Sequence, residues 1–330
     1  MVVGLSGYYG YRNAGDEAIL EAIIRELKAR GHDPLVFSAR PEETAARYRV
    51  RAASRTNPFA VWHAIRTVDL LLSGGGGLLQ DRTSARSLGY YLAVIRLARA
   101  HGKPVWVFNQ SLGPLSSRGE AWVRRALRDV PLILRDKASF QYARALGLNA
   151  HLGADPALLL EPPPAHREER LVVVVPRGKL PEANRTLLQA AQQLQSLGYE
   201  VAAVALQPHH DDDAIALFEG FTREIAWDPR RARYLFAQAG YVLSIRLHGL
   251  ILAAASGTPY AGLSYDPKVQ AFCEETGAPY WSLPGNANAL VRCVEEHREP
   301  TWSWVHAMKE RAASSFDAVL GSRIRTSNGS

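Results

Sequence analysis

Residues 2–38, VVGLSGYYGYRNAGDEAILEAIIRELKARGHDPLVFS, spell one complete strand–helix–strand unit, and its pattern decides the fold. The apolar run at 2–6 has strand length. Asp16 can cap a helix in which Ile19, Leu20, Ile23, Ile24 and Leu27 recur at helical spacing until Gly31 stops it, and 35–38 return as a strand. The same alternation continues outward, with strands near 70–73, 105–109 and 132–134 and helices near 87–99 and 120–130. Strands separated by helices of this length pair in parallel, as βαβ units do.

Residues 161–170, EPPPAHREER, cannot continue a buried strand and read as a semi-rigid linker. A second series follows, with strands near 171–175, 201–206, 241–244 and 260–263 and helices after Pro181, Pro229 and His248. The tail at 302–324 reads as a helix free to pack back on the first domain, and 326–330 as frayed. The expectation is an α/β chain of two Rossmann-like domains, 1–165 and 166–330, whose parallel sheets face each other across a cleft. Ligands of such sheets bind at the carboxyl ends of the strands.

The 330 residues carry 39 Lys and Arg against 32 Asp and Glu, a net +7, which suits an anionic substrate, nucleic acid or membrane surface. Arginines scattered over helical faces, with no nucleic-acid motif behind them, argue against nucleic acid and leave a peripheral membrane contact open. No apolar run approaches the roughly 18 residues of a membrane span, and the start has no leader pattern, so a cytoplasmic protein is expected. Cys273 and Cys293 lack metal-ligand spacing and read as reduced packing residues, with no metal and no cofactor implied.

Four segments can carry chemistry, each where a strand runs out. GYYGYRNAGDEAIL (7–20) feeds a helix start from a glycine-spaced loop, where exposed amides attract phosphate; Asn13, Asp16 and Glu17 sit at its mouth. Its glycine spacing fits neither GxGxxG nor a P-loop, and Asp16 as a helix cap alone is the plain alternative. SGGGGLLQD (73–81) offers Gly76 for close backbone approach and Gln80 and Asp81 for sugar hydroxyls, a flexible solvent loop being the alternative. After NQSLGPL (109–115), Arg135 ends another strand, either binding an anion or pairing with Asp136 or Asp155. In SIRLHG (244–249), Arg246, His248 and the helix start at Gly249 converge on one point, with Lys268 on the same rim; a core histidine and a solvated lysine are the alternatives.

Taken in order, GYYGYRNAGDEAIL, SGGGGLLQD, NQSLGPL and SIRLHGLILAAASGTP resemble the polysaccharide pyruvyl transferases, in particular the bacterial cell-surface-anchoring branch. The resemblance implies a glycosyltransferase-B-like fold and transfer of the enolpyruvyl carbons of phosphoenolpyruvate to two hydroxyls of a sugar, forming a cyclic ketal and releasing phosphate. It implies an acceptor with N-acetylmannosamine in a lipid-linked precursor of the secondary cell-wall polymer, which anchors S-layer proteins, and hence work at the inner membrane face. Carried over by motif, the functional residues are His248, Lys268 and Arg135, with Arg246 in the same segment as His248. On this reading Arg135, Arg246, Lys268 and the amides at Gly249 hold the donor, Asn13, Gly76, Gln80 and Asp81 hold the acceptor, and the C-terminal domain is the donor side. His248 is the acid at the donor's methylene carbon, with Asp16 or Asp155 taking a hydroxyl proton. A helix N-terminus disfavours imidazolium, so the bound dianion must restore that proton. Two rivals remain: a nucleotide-sugar glycosyltransferase of the same fold, and a non-catalytic polysaccharide-binding protein using Trp227, Trp281 and Trp302.

Overall fold

The computed structural model describes residues 1–82 and 84–321. Two parallel sheets organise them. The first has β1 (Val2–Tyr9), β2 (Asp33–Ser38), β3 (Arg51–Ser54), β4 (Leu70–Gly74), β5 (Val105–Gln110), β6 (Leu132–Leu134) and β7 (Ala150–Leu152), ordered β3-β2-β1-β4-β5-β6-β7. The second has β8 (Glu168–Val175), β9 (Glu200–Ala205), β10 (Thr222–Ile225), β11 (Ala239–Ser244), β12 (Tyr260–Ser264) and β13 (Tyr280–Ser282), ordered β10-β9-β8-β11-β12-β13. Each order reverses once, between β1 and β4 in one sheet and between β8 and β11 in the other. Beside such a reversal the connections leave in opposite directions and open a crevice at the strand ends.

The strand cores are apolar because helices cover both faces of a parallel sheet. Residues of β4 and β11 are buried throughout. The strands that the sequence pattern does not reveal, β3, β7, β10 and β13, are short and lie at or next to a sheet edge. RAAS and TREI are strand segments in which polar residues face water, so they lack an apolar run. The charged run at 161–170 also hides a strand start: β8 begins at Glu168, and its exposed first residues project beyond the buried VVVV.

The chain divides into two compact units. One comprises residues 1–11, 19–156 and 308 onward; the other comprises 12–18 and 157–307. In the first, Phe316 of the helix Trp302–Gly321 meets Phe108 edge-on at 4.8 Å, and Ser315 Oγ donates to Asn109 Oδ1 at 3.1 Å. The remainder of the tail, including the expected helix end at Ile324, lies outside the described residues.

The helix after β1 spans Ala14–Ala29. It starts two residues before Asp16 because Asn13 supplies the cap: its Oδ1 accepts from Gly15 N at 3.0 Å. The reading of Asp16 as the N-cap is therefore corrected. Asp16 stands inside the first turn, where a carboxylate meets the positive end of the helix dipole.

Candidate active site

In the second unit, Arg177 and Arg246 each follow by two residues the strands that flank the reversal, β8 and β11. Arg246 is the last extended residue before the helix Leu247–Ala255. Ser244 Oγ accepts from Arg246 N at 3.1 Å and donates to Arg246 O at 2.7 Å, which fixes the turn. The Arg246 guanidinium pairs with Asp211, whose side chain is fully buried. Asp211 Oδ1 also accepts from Gly178 N and Oδ2 from Gln207 N, both at 3.1 Å. Thus one buried carboxylate ties three loops together and locks one arm of a cation in place. The Arg246 Nε is buried without a partner among the described residues, so this guanidinium keeps a donor in reserve.

Arg177 lies 4.2 Å over the ring of Tyr265, which follows β12. Burial raises the Tyr265 phenol, against the opposing pull of Arg177 and Arg246. Asn184 grips the Arg177 backbone from both sides, with Oδ1 accepting from its N–H at 3.1 Å and Nδ2 donating to its carbonyl at 2.7 Å. Two arginines are therefore held by packing rather than left as mobile surface groups.

His248 enters in the first turn of the helix Leu247–Ala255 and is half-buried. A Cβ on Gly15 would lie 2.1 Å from His248 Nδ1 and 2.2 Å from its Cγ. Only a residue without a side chain lets the histidine side chain come this close to the backbone of the first helical turn. Ala14 N donates to Leu206 O at 3.0 Å, and Asn13 Nδ2 to Gln207 Oε1 at 3.4 Å, so the first turn of the Ala14–Ala29 helix is tied to the end of β9. Gly249 is required for packing as well, since a Cβ there would sit 2.2 Å from Ser244 Oγ. Lys268 stands in the first turn of the helix Pro267–Thr276, capped by Asp266 Oδ1 accepting from Lys268 N at 2.9 Å.

The structure thus brings Asn13, Asp16, Arg246, His248, Gly249 and Lys268 into the second unit. Glu17 belongs to the second unit as well, whereas Gly76, Gln80, Asp81 and Arg135 belong to the first. There the glycine run is buried and tied down: Gly75 and Gly76 have φ of +82° and +78°, Gly75 N donates to Phe108 O at 3.1 Å, and Ser111 N donates to Gly76 O at 2.9 Å. Gln80 is half-buried. Asp81 accepts from Ser116 N at 2.9 Å and from Ser116 Oγ, which holds its carboxyl below the usual range. Of the alternatives for Arg135, the ion pair with Asp155 is present. Nη1 meets Oδ2 at 2.7 Å, Nε donates to Ser111 Oγ at 2.8 Å, and both side chains are buried.

The family model for polysaccharide pyruvyl transferases matches residues 13–267, most of the chain. The chain belongs to the polysaccharide pyruvyl transferase family. The match includes Asn13, Arg246 and His248 and stops at Pro267, one residue before Lys268. No curated protein matches the sequence.

Solved structures share the fold at low identity. A putative UDP-N-acetylglucosamine 2-epimerase from Listeria monocytogenes superposes with a TM-score of 0.63 at 11% identity, over 98% of this chain and 96% of the other. The UDP-GlcNAc 2-epimerase from Neisseria meningitidis, solved with UDP-GlcNAc, gives 0.59 at 12%, over 97% and 99%. A glycosyltransferase from Rickettsia africae gives 0.58 at 11%, over 95% and 92%. This pyruvyl transferase family member therefore has the glycosyltransferase-B architecture of two parallel-sheet α/β domains.

Sequence reasoning missed Arg177 and Asp211. Arg177 had a signal, because VVVVPRGK ends a strand in a cation and a glycine, the rule already applied to SIRLHG. Asp211 had none, since DDD at 211–213 reads as solvated charge and only the fold buries its first member. The three tryptophans of the binding-protein rival do not form one surface: Trp227 follows β10 at one edge of the second sheet and Trp281 lies in β13 at the other. Among the described residues no three His, Cys, Asp or Glu side chains gather to hold a metal. No helix among them is long and apolar enough to cross a membrane.

Proposed function

We propose that this protein transfers the pyruvyl carbons of phosphoenolpyruvate to two hydroxyls of a sugar as a cyclic ketal, with release of phosphate. The observation that carries the reading is the second-unit cluster, in which Arg246 is locked by buried Asp211 near Arg177 while His248 is pressed against Gly15. A donor with a phosphate and a carboxylate on three carbons requires fixed cations and amide donors close together. Arg246, Arg177, Lys268 and the amides that open the Leu247–Ala255 helix supply them.

One acceptor hydroxyl attacks the donor's C2 while His248 protonates C3, turning the methylene into a methyl; Asp16 accepts the hydroxyl proton. The second hydroxyl then displaces phosphate, which leaves with the remaining proton, and the ketal closes. A positioned acid of this kind contributes about a hundred-fold to ten-thousand-fold in rate. Asn13, Gly76, Gln80 and Asp81 are assigned to the acceptor. Family resemblance supports N-acetylmannosamine in a lipid-linked cell-wall polymer precursor as that acceptor, with the reaction at the cytoplasmic face of the membrane. Arg135, paired with Asp155, is assigned to donor recognition on the same resemblance.

The test is phosphate release from phosphoenolpyruvate with and without a panel of N-acetylhexosamine glycans, with the ketal identified by mass spectrometry. Equal amounts of phosphate and ketal are expected, and His248→Ala should abolish both while retaining donor binding. Nucleotide release from an activated sugar, with none of the panel pyruvylated, would replace this reading with the glycosyltransferase rival.

A further inference from the structure

Although the basic residues are spread along the chain, its net positive charge is concentrated in one stretch. Residues 58–129 hold ten Lys and Arg against four Asp and Glu, a surplus of six out of the net +7. Three successive helices of the first unit lie within that stretch: Pro58–Thr67 packs on Ala85–Ala100, which packs on Ser117–Leu127. Together they contain seven arginines and one acid, Glu120, which accepts from Tyr142 Oη at 2.6 Å. All seven arginines are exposed. Of the other acids, Asp81 is held by Ser116, Asp69 accepts from Val2 N at 2.7 Å, and Asp129 meets Arg99 at 3.5 Å.

Aromatic side chains stand out of the same surface. Phe59 is 82% exposed and Trp62 40%, three residues apart on one helix face. Arg66 lies 4.6 Å over the Trp62 ring, and Arg118 lies 4.8 Å over the half-buried Trp122. An exposed phenyl ring offers water no hydrogen bond, and its place beside guanidinium groups is the composition of an interfacial helix.

We propose that this helical face docks the protein on an anionic bilayer, with the arginines against lipid phosphates and Phe59 and Trp62 entering the headgroup boundary. The inference is independent of the pyruvyl-transfer reading, because it uses no residue of the candidate active site. Nucleic acid would meet the same charge, but rings that stack on bases line grooves, whereas Phe59 and Trp62 project from a convex helix. Each arginine near such a membrane strengthens partitioning roughly five-fold.

The experiment is co-sedimentation of the full chain with vesicles of phosphatidylglycerol in phosphatidylcholine, and with phosphatidylcholine alone. Binding to the anionic vesicles only, weakened by salt, is expected. Arg66→Gln with Arg96→Gln should weaken it roughly 25-fold by the same per-arginine factor. Phe59→Ala with Trp62→Ala should weaken it about ten-fold. Phe59→Ala alone, at a side chain the protein barely touches, should weaken it several-fold without lowering the melting temperature. The proposal is overturned by equal binding to both vesicles, by binding to neither, by anionic binding that all three variants leave intact, or by tighter binding to a DNA oligonucleotide than to anionic vesicles.

Discussion

Replacing Gly15 with alanine should disable the site without unfolding the protein. Gly15 lies in the first turn of its helix, outside the left-handed region, so alanine suits its backbone and should favour the helix by about 1 kcal/mol. The new methyl carbon would, however, lie 2.1 Å from His248 Nδ1, 2.2 Å from Cγ and 2.7 Å from Cβ. Ordinary contact begins near 3.4 Å, so the imidazole must retreat by about 1.3 Å. Turning the ring about Cβ–Cγ moves neither Cβ nor Cγ, and changing χ1 moves Cγ but not Cβ, so relief also needs a backbone shift. Overpacking that shifts side chain and backbone costs roughly 1–3 kcal/mol, so after the helix gain the net loss is at most about 2 kcal/mol and the protein stays folded. A misplacement of this size lowers turnover about 100-fold. The assay is phosphate release from phosphoenolpyruvate with an acceptor the wild type uses, read beside a thermal melt and the imidazole NMR signals of His248. Gly89→Ala is the control: its Cβ meets nothing within 4 Å, so it should keep activity and gain stability. Wild-type turnover and an unmoved His248 signal in Gly15→Ala would refute the claim that this contact positions the histidine.

Asp211→Ala leaves Arg246 buried without its counter-ion and should cost about 3–5 kcal/mol in a denaturant melt. Asp211→Asn, which can keep one of the two backbone contacts, should instead raise the KM for donor more than it lowers kcat. For the buried Arg135–Asp155 pair, either partner changed to alanine should destabilise by about 3–5 kcal/mol, while Arg135→Met with Asp155→Leu should recover much of that loss. A double variant no more stable than the singles would argue against a simple ion pair. Asp81 is held below the usual carboxylate range by Ser116, so its stabilising effect is present above the ordinary carboxylate pKa and is lost as pH falls through the lowered value. Asp81→Asn should flatten that acidic part of the stability curve by lowering stability at neutral pH, while leaving it little changed at pH below the lowered value. Burial raises both thiols, that of Cys273 to about 12, so neither should react with a thiol reagent at pH 8 until denaturant is added.

The parts of the architecture visible before folding are those with a local cause. Apolar runs such as LLLSG and VVVV announce buried parallel strands, helical spacing announces Ile19 to Leu27, and Gly31, at φ +74°, marks the end of the first helix. The edge strands carry no such signal, since RAAS and TREI keep only one neighbour each and none of their residues is buried. Within the site, Arg246 and His248 were legible because a cation and an imidazole directly follow a strand. Arg177 obeyed the same rule and was passed over.

Strand ends, helix starts and the glycine loops between them follow from neighbours a few residues apart, which is why the order of motifs sufficed to name the fold and the chemistry it resembles. Which groups share a site follows from partners far apart in the chain. Asn13 and Gln207 are 194 residues apart, Gly15 and His248 meet from opposite ends of the family match, and a fully buried Asp211 sets Arg246 from 35 positions away. No spacing rule spans such distances, because each pairing exists only after the sheets have formed and water has been expelled from around the carboxylate.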